Sequence, residues 1–234
     1  MTTMLTIEQL DQLNNSYRRT SYASLDALLA EMGSPSDQTI ILSALAGLKS
    51  KDRNTRALML RVLTHYPTPA AMEGILASLV DDQRRVRDVA IQSSRNFLHY
   101  VEIASRLAEI VTDESEKRKI RSRALSVLAG VDGLPITGPL PQAAADALTM
   151  LMDSEPSSRQ QILLNLIQLD LSPTVEALLT QFMGGGSEDE VALATQALAG
   201  YKVVNLGLFD DAKRAEIIQT CQLVTGRVYY WIER

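Results

Sequence analysis

LVDDQRRVRDVA, residues Leu79 to Ala90, reads as a helix end, an acidic turn at Asp81-Asp82, and a second helix that begins near Arg84 and carries Val86-Arg87 and Ala90. Weaker copies recur. The two-residue mark returns as Thr55-Arg56, Val86-Arg87, Ile120-Arg121, Ser158-Arg159 and a degenerate Val191-Ala192, at steps of 31, 34, 38 and 33 residues. Three residues beyond each arginine-equivalent stand Met59, Ala90, Ala124, Ile162 and Thr195, mostly small or apolar. Two short antiparallel helices cannot bury their apolar faces alone, so a period of this length predicts units that stack on one another. The expected fold is all-α, an α-solenoid of antiparallel helix pairs.

Working outward, apolar residues at helical spacing predict an N-terminal capping pair within residues 1–33, with Ile7, Leu10 and Leu13 on the first helix and Leu25, Leu28 and Leu29 on the second. About five repeats follow over 34–201, at 34–66, 68–100, 101–130, 139–170 and 172–201. Ser34-Pro35 and Thr68-Pro69, 34 residues apart, predict helix starts, because a hydroxyl caps the first turn and proline at the first helical position loses no bond. Ser187 followed by Glu190 predicts a capping box. Gly130 to Pro141 is a Gly/Pro-rich connection, and residues 202–234 predict a final capping helix over Asp210 to Val224 and an aromatic tail.

Composition agrees with helix packing. The chain has 234 residues, 46% of them hydrophobic but only 5% aromatic, which suits Leu/Ala-rich helices better than sheets. The N-terminal stretch MTTMLTIEQLDQL predicts no leader, no apolar run predicts a membrane span, and the lone Cys221 excludes an internal disulfide framework, so the expected location is cytoplasmic. Charge is unevenly spread. Lys49 to Arg123 holds 15 basic and 10 acidic residues, and the remainder holds 8 basic and 18 acidic.

An acidic turn followed by Val-Arg-x-x-Ala, as in Asp81-Asp82 to Val86-Arg87-Asp88-Val89-Ala90, resembles the HEAT repeat family, including its short bacterial form first noted in phycobilisome lyase subunits. The resemblance covers about half of Ser34 to Tyr201. It implies a ladder of turn aspartates and helix arginines between repeats, with Asp52, Asp82 and Asp113 as the acidic partners of Arg56, Arg87 and Arg121.

Catalytic motifs are scarce. His65 and His99 are each followed by Tyr, so the His-Glu pair of the di-iron HEAT hydroxylase is missing, and no metal site or cofactor is expected. Gly184-Gly185-Gly186-Ser187 is followed by Glu188-Asp189-Glu190, which would repel a phosphate. The expected function is a non-catalytic scaffold that binds another protein with an acidic surface on the solenoid's concave face. The expected partner-binding residues are Arg84, Arg85, Asp88, Arg95, Lys117 and Arg118, of which Arg84, Arg85 and Asp88 show no regular echo in other repeats. Tyr229, Tyr230 and Trp231 form a second expected docking segment, because aromatic side chains anchor interfaces. The family resemblance supplies an alternative, a subunit or chaperone of a bilin lyase-like assembly. Nucleic acid, the third class, is disfavoured by the net charge of −5 and by the few aromatics near the basic stretch.

Overall fold

The computed structural model describes residues 4–18, 22–130 and 139–199, together with the backbone of 202–205 and 229–232. The fold is all-α, with twelve α-helices among the described residues. The chain forms two compact units, Met1–Val127 and Leu128–Arg234. The first carries α1 (Ile7–Arg18), α2 (Tyr22–Glu31), α3 (Asp37–Gly47), α4 (Arg53–Leu63), α5 (Pro69–Ser78), α6 (Arg84–Ser93), α7 (Val101–Thr112) and all but the last residue of α8 (Arg118–Leu128). The second carries α9 (Gln142–Ser154), α10 (Arg159–Leu166), α11 (Pro173–Gly185) and α12 (Glu188–Leu198).

Within the first unit the helices alternate between two layers. α3 packs on α5 and α5 on α7, while α4 packs on α6 and on α1. Gly74 allows the close approach of α5 to α3, since a Cβ there would lie 2.7 Å from Leu45 Cδ2. In the second unit α9 packs on α11 and α10 on α12. The residues that mark the repeat are buried between these helices. Met59, Val86, Ala90, Ala124 and Ile162 are all fully buried, so the recurring mark is the sequence trace of a shared core. In the fifth copy the register is one residue off from the expected one: Ala194 is buried and Thr195 is exposed. With no arginine to anchor the count there, Val191 takes the place expected for Ala192.

Local chemistry sets most helix starts. Asp52, Thr68, Ser172 and Ser187 each accept a backbone N–H of the first turn, Pro69 and Pro173 occupy the first helical position, and Ser187 with Glu190 completes a reciprocal capping box. Ser34 does not cap α3. Gly33 and Ser34 both take left-handed φ, 80° and 51°, and their N–H groups bond Ala30 O and Leu29 O to finish α2. The cap therefore falls to Ser36, whose Oγ accepts the Thr39 N–H. Ile7, expected to face the core with Leu10 and Leu13, is 52% exposed, whereas the other two are buried.

Backbone strands β1 (Lys202–Asn205) and β2 (Tyr229–Ile232) pair in parallel, with Val204 opposite Trp231, so the aromatic tail is extended. The helix expected over Asp210 to Val224, Cys221 within it, and most of the Gly130 to Pro141 connection lie outside the described residues.

The arginines of the mark do form a ladder, in a register different from the one the family resemblance implies. Arg56 and Arg87 each reach forward to the next repeat. Arg56 Nε and Nη2 bond Asp81 Oδ2 and Oδ1, both at 2.8 Å, and Nη2 also meets Asp82 at 3.1 Å. Its Nη1 turns back to the carbonyls of Ser50 and Lys51 in its own turn. Arg87 repeats the arrangement, with Nε on Glu116 at 2.6 Å and Nη1 on the carbonyls of Asp81 and Asp82. One guanidinium thus ties its own turn to the following one. Asp52 and Asp113, expected as ladder partners, make their hydrogen bonds locally: Asp52 caps α4, and Asp113 accepts from the N–H and hydroxyl of Ser115. Each still lies close enough to Arg56 and Arg121 respectively to feel its charge. The turn carbonyls orient each arginine, and its free fork then meets the acid one repeat ahead.

The Arg56 and Asp81 side chains are each only 13% exposed, so removing one partner strands a largely desolvated charge. Arg56→Ala is expected to lower unfolding stability by about 2–4 kcal/mol in denaturant titration. Arg56→Lys should recover less than half of that, because an ammonium cannot span a carboxylate and two carbonyls together.

The Arg87 bond holds the Glu116 carboxyl below its ordinary value of 4.5. A lowered carboxylate pKa contributes stability that is present above the unfolded value and lost as pH falls through the folded one. The melting-temperature gap between the wild type and Glu116→Gln is therefore expected to be full near neutral pH and to shrink between about pH 5 and pH 3.

A basic cleft at the starts of the second helices

The ladder fixes where the remaining cations point. α4, α6 and α8 begin immediately after their acidic turns, and each first residue is an arginine: Arg53, Arg84 and Arg118. Each stands three residues before a mark arginine, giving Arg53-x-x-Arg56, Arg84-x-x-Arg87 and Arg118-x-x-Arg121. Arg84 therefore does have an echo, contrary to the expectation from sequence. The mark arginines Arg56 and Arg87 turn inward to carboxylates, while Arg53 and Arg84 remain exposed.

A cleft of about 360 Å³ opens between these helix starts, lined by Arg53, Arg84, Arg85, Lys117 and Lys119, with Gln83, Asp88 and Ile120. Among the described residues, Arg84, Arg85, Lys117 and Lys119 make no side-chain hydrogen bond or ion pair, and Arg53 feels the neighbouring Asp52. The one carboxylate in the lining is already neutralised: Asp88 receives both contacts from Arg123 Nη1, at 2.9 and 3.0 Å. The cleft carries an excess of positive charge, reinforced by the N-terminal ends of α6 and α8. Gln83, the N-cap of α6, makes no side-chain bond to the first turn, so amide N–H groups there are left to solvent or a ligand.

Of the six residues expected to bind a partner, the structure brings Arg84, Arg85, Asp88 and Lys117 together here. Asp88 is ion-paired with Arg123. Arg118 is exposed at the start of α8 but does not line the cleft. Arg95 lies in a 3-10 turn, Ser94–Phe97, beyond the far end of α6, so it belongs to a different surface. Arg53 and Lys119 line the cleft without being among the six; the repeated Arg-x-x-Arg spacing was the signal for Arg53. The side chains of Tyr229, Tyr230 and Trp231 lie outside the described set.

A second cleft at the same turns is acidic. Asp81, Asp82, Glu109, Asp113 and Glu116 line a second cleft of about 530 Å³, where Arg87 and Arg106 are the counterions. Arg87, bonded to Glu116, also lines that acidic cleft.

The two histidines, one repeat apart, are held separately. His65 stacks on Tyr17 of α1 with ring centroids 4.0 Å apart, and His99 tilts against Tyr100 at 4.2 Å. Burial lowers the His65 pKa, which keeps the stacked imidazole neutral at pH 7. Tyr17 also hydrogen-bonds Tyr66 through the two hydroxyls. Among the described residues no group of three or more His, Cys, Asp or Glu side chains could hold a metal ion. No described helix is long and apolar enough to cross a membrane.

No protein-family model matches the chain, and no curated protein matches it. Among solved structures it is similar to the crystal structures of two engineered proteins. The first is 16% identical, covering 81% of this chain and 95% of that one, with a TM-score of 0.37. The second is 18% identical, covering 81% and 97%, with a TM-score of 0.33.

Asp88→Asn releases Arg123 and removes the carboxylate from the cleft. The variant is expected to elute from a sulfated-polysaccharide column at higher salt than the wild type, and Arg53→Gln/Arg84→Gln/Arg85→Gln at lower salt, with melting temperature measured alongside as the control for folding.

Proposed function

We propose that this chain is a HEAT-like, non-catalytic binding module, cytoplasmic in location, that docks an acidic segment of another protein onto the starts of its second helices. The observation that carries this reading is the cleft of Arg53, Arg84, Arg85, Lys117 and Lys119, whose lone carboxylate is cancelled by Arg123. Cations that stabilise the fold are spent on carboxylates and carbonyls, as Arg56 and Arg87 are. These five are not. Helices locked together by packing and by the ladder hold the backbone of the cleft in place, so binding needs little reordering of the helices themselves.

Capture of partners by the immobilised full-length chain, read by mass spectrometry, tests the reading. Proteins with acidic segments should be retained by the wild type, released as salt rises through about 0.1–0.5 M, and lost from Arg53→Glu/Arg84→Glu/Arg85→Glu. Retention of the same partners by the folded triple variant would sink the proposal, and retention of nucleic acid in place of protein would replace it.

A further inference from the structure

We infer that the acidic segment docks through a phosphorylated side chain, its phosphate held by the cleft's cations and by the uncapped starts of α6 and α8; this rests on the acidic-partner reading above. The residue in front of each second helix decides how that helix start is finished. Asp52, Gln83 and Lys117 stand four residues before Arg56, Arg87 and Arg121, so they occupy the same place in three successive repeats. Asp52 caps α4 by accepting the N–H groups of Asn54 and Thr55. Gln83 makes no such bond, and the ammonium of Lys117 has no lone pair to offer. The N–H groups of Val86 and Ile120 are taken by the carbonyls of Gln83 and Lys117, both at 2.8 Å. Those before them, at Arg84 and Arg85 in α6 and at Arg118 and Lys119 in α8, donate no hydrogen bond among the described residues. Gln83, Arg84 and Arg85 line the cleft from one helix start, and Lys117, Lys119 and Ile120 from the other. Free amides and unpaired cations thus come from the same two helix starts.

This combination selects among anions. A carboxylate carries a single charge on two oxygens in one plane, which one arginine fork satisfies. A phosphorylated side chain carries about −1.5 to −2 charge at pH 7 and three acceptor oxygens spread about the phosphorus, so it takes guanidinium and amide donors from several directions together. The helix starts add partial positive charge of their own. Asp88, the carboxylate in the lining, is ion-paired with Arg123 and leaves the phosphate unopposed. Nucleic acid and lipid fit less well. Among the described residues that line the cleft none is aromatic, so no base can stack there, and Ile120 alone is aliphatic.

Anisotropy with the full chain at about 0.15 M salt tests this, using fluorescent peptides of one acidic sequence with phosphoserine, a pair of glutamates or serine at the centre. The phosphoserine peptide is expected to bind at least about tenfold more tightly than the glutamate pair. It should weaken as pH falls from about 7.5 to 5.5, where phosphate loses its second charge and glutamate keeps its own. Gln83→Ser leaves the charge unchanged and supplies an oxygen for the Arg85 N–H. That variant should melt no lower than the wild type and bind the phosphoserine peptide about threefold or more weakly, while the glutamate pair moves by less than about twofold. Arg84→Gln/Arg85→Gln should weaken both acidic peptides with the melting temperature unchanged. Equal binding of phosphoserine and the glutamate pair, or a phosphoserine preference untouched by Gln83→Ser, overturns the phosphate site and leaves the acidic-partner reading standing. Displacement of the phosphoserine peptide by a single-stranded oligonucleotide at equal phosphate concentration overturns the phosphorylated segment in favour of nucleic acid. No binding of any acidic peptide, or binding that the arginine variant leaves unchanged, overturns both.

Discussion

A guanidinium shared between two consecutive turns is the constraint on which the first unit depends. Arg56 and Arg87 each satisfy two carbonyls of the turn behind them and an acid of the turn ahead. Burial between layers would tolerate some sliding of one helix pair along the next, since Leu, Val and Ala contacts are not directional. Charge-assisted bonds are directional, so the ladder sets the register in which the apolar faces meet. It also absorbs the charge that would otherwise oppose a partner. With Arg56 and Arg87 committed to carboxylates, Arg53, Arg84, Arg85, Lys117 and Lys119 line one cleft at the helix starts, and Asp81, Asp82, Asp113 and Glu116 line another.

The second unit keeps the packing but holds its ladder loosely. Arg159 sits in the mark position, yet its nearest carboxylate oxygen, on Glu190, is 3.8 Å away, and its Nη2 is buried without a partner. Glu190 is already engaged in the capping box of α12, and Arg159 instead lays its guanidinium over the Phe182 ring at 4.9 Å. An aromatic face replaces the second carboxylate, which fits the drift of the sequence pattern in the fourth and fifth copies.

Much of this architecture could be read from the sequence, because the features that place helices are local. Thr68-Pro69 and Ser187 with Glu190 announce their helices, and the periodic Met59, Ala90, Ala124 and Ile162 announce the core. Ser34 misled because Gly33 before it draws both residues into the left-handed end of α2, an effect of the preceding helix rather than the following one. The ladder partners were out of reach for a different reason. Asp52 and Arg56 are four residues apart and look like a pair, whereas the true bond to Asp81 spans 25 residues and depends on how far one turn lies from the next. In the cleft, Arg84, Arg85 and Lys117 were legible as a charge cluster, but the role of Asp88 was not, since its neutraliser Arg123 lies 35 residues on.

In the first unit the forward reach of Arg56 and Arg87 makes a directed chain of links: the turn at Asp81-Asp82 offers acids to the repeat before it, and Arg87 reaches the acid of the turn after it. A segment cut from one acidic turn to the next removes one donor and one acceptor together, and the arginine upstream then faces the acid downstream. The repeat between those two turns can therefore be lost or duplicated without leaving a stranded charge, provided the cut keeps phase with the turns. Asp52, in the turn before α4, caps its own helix.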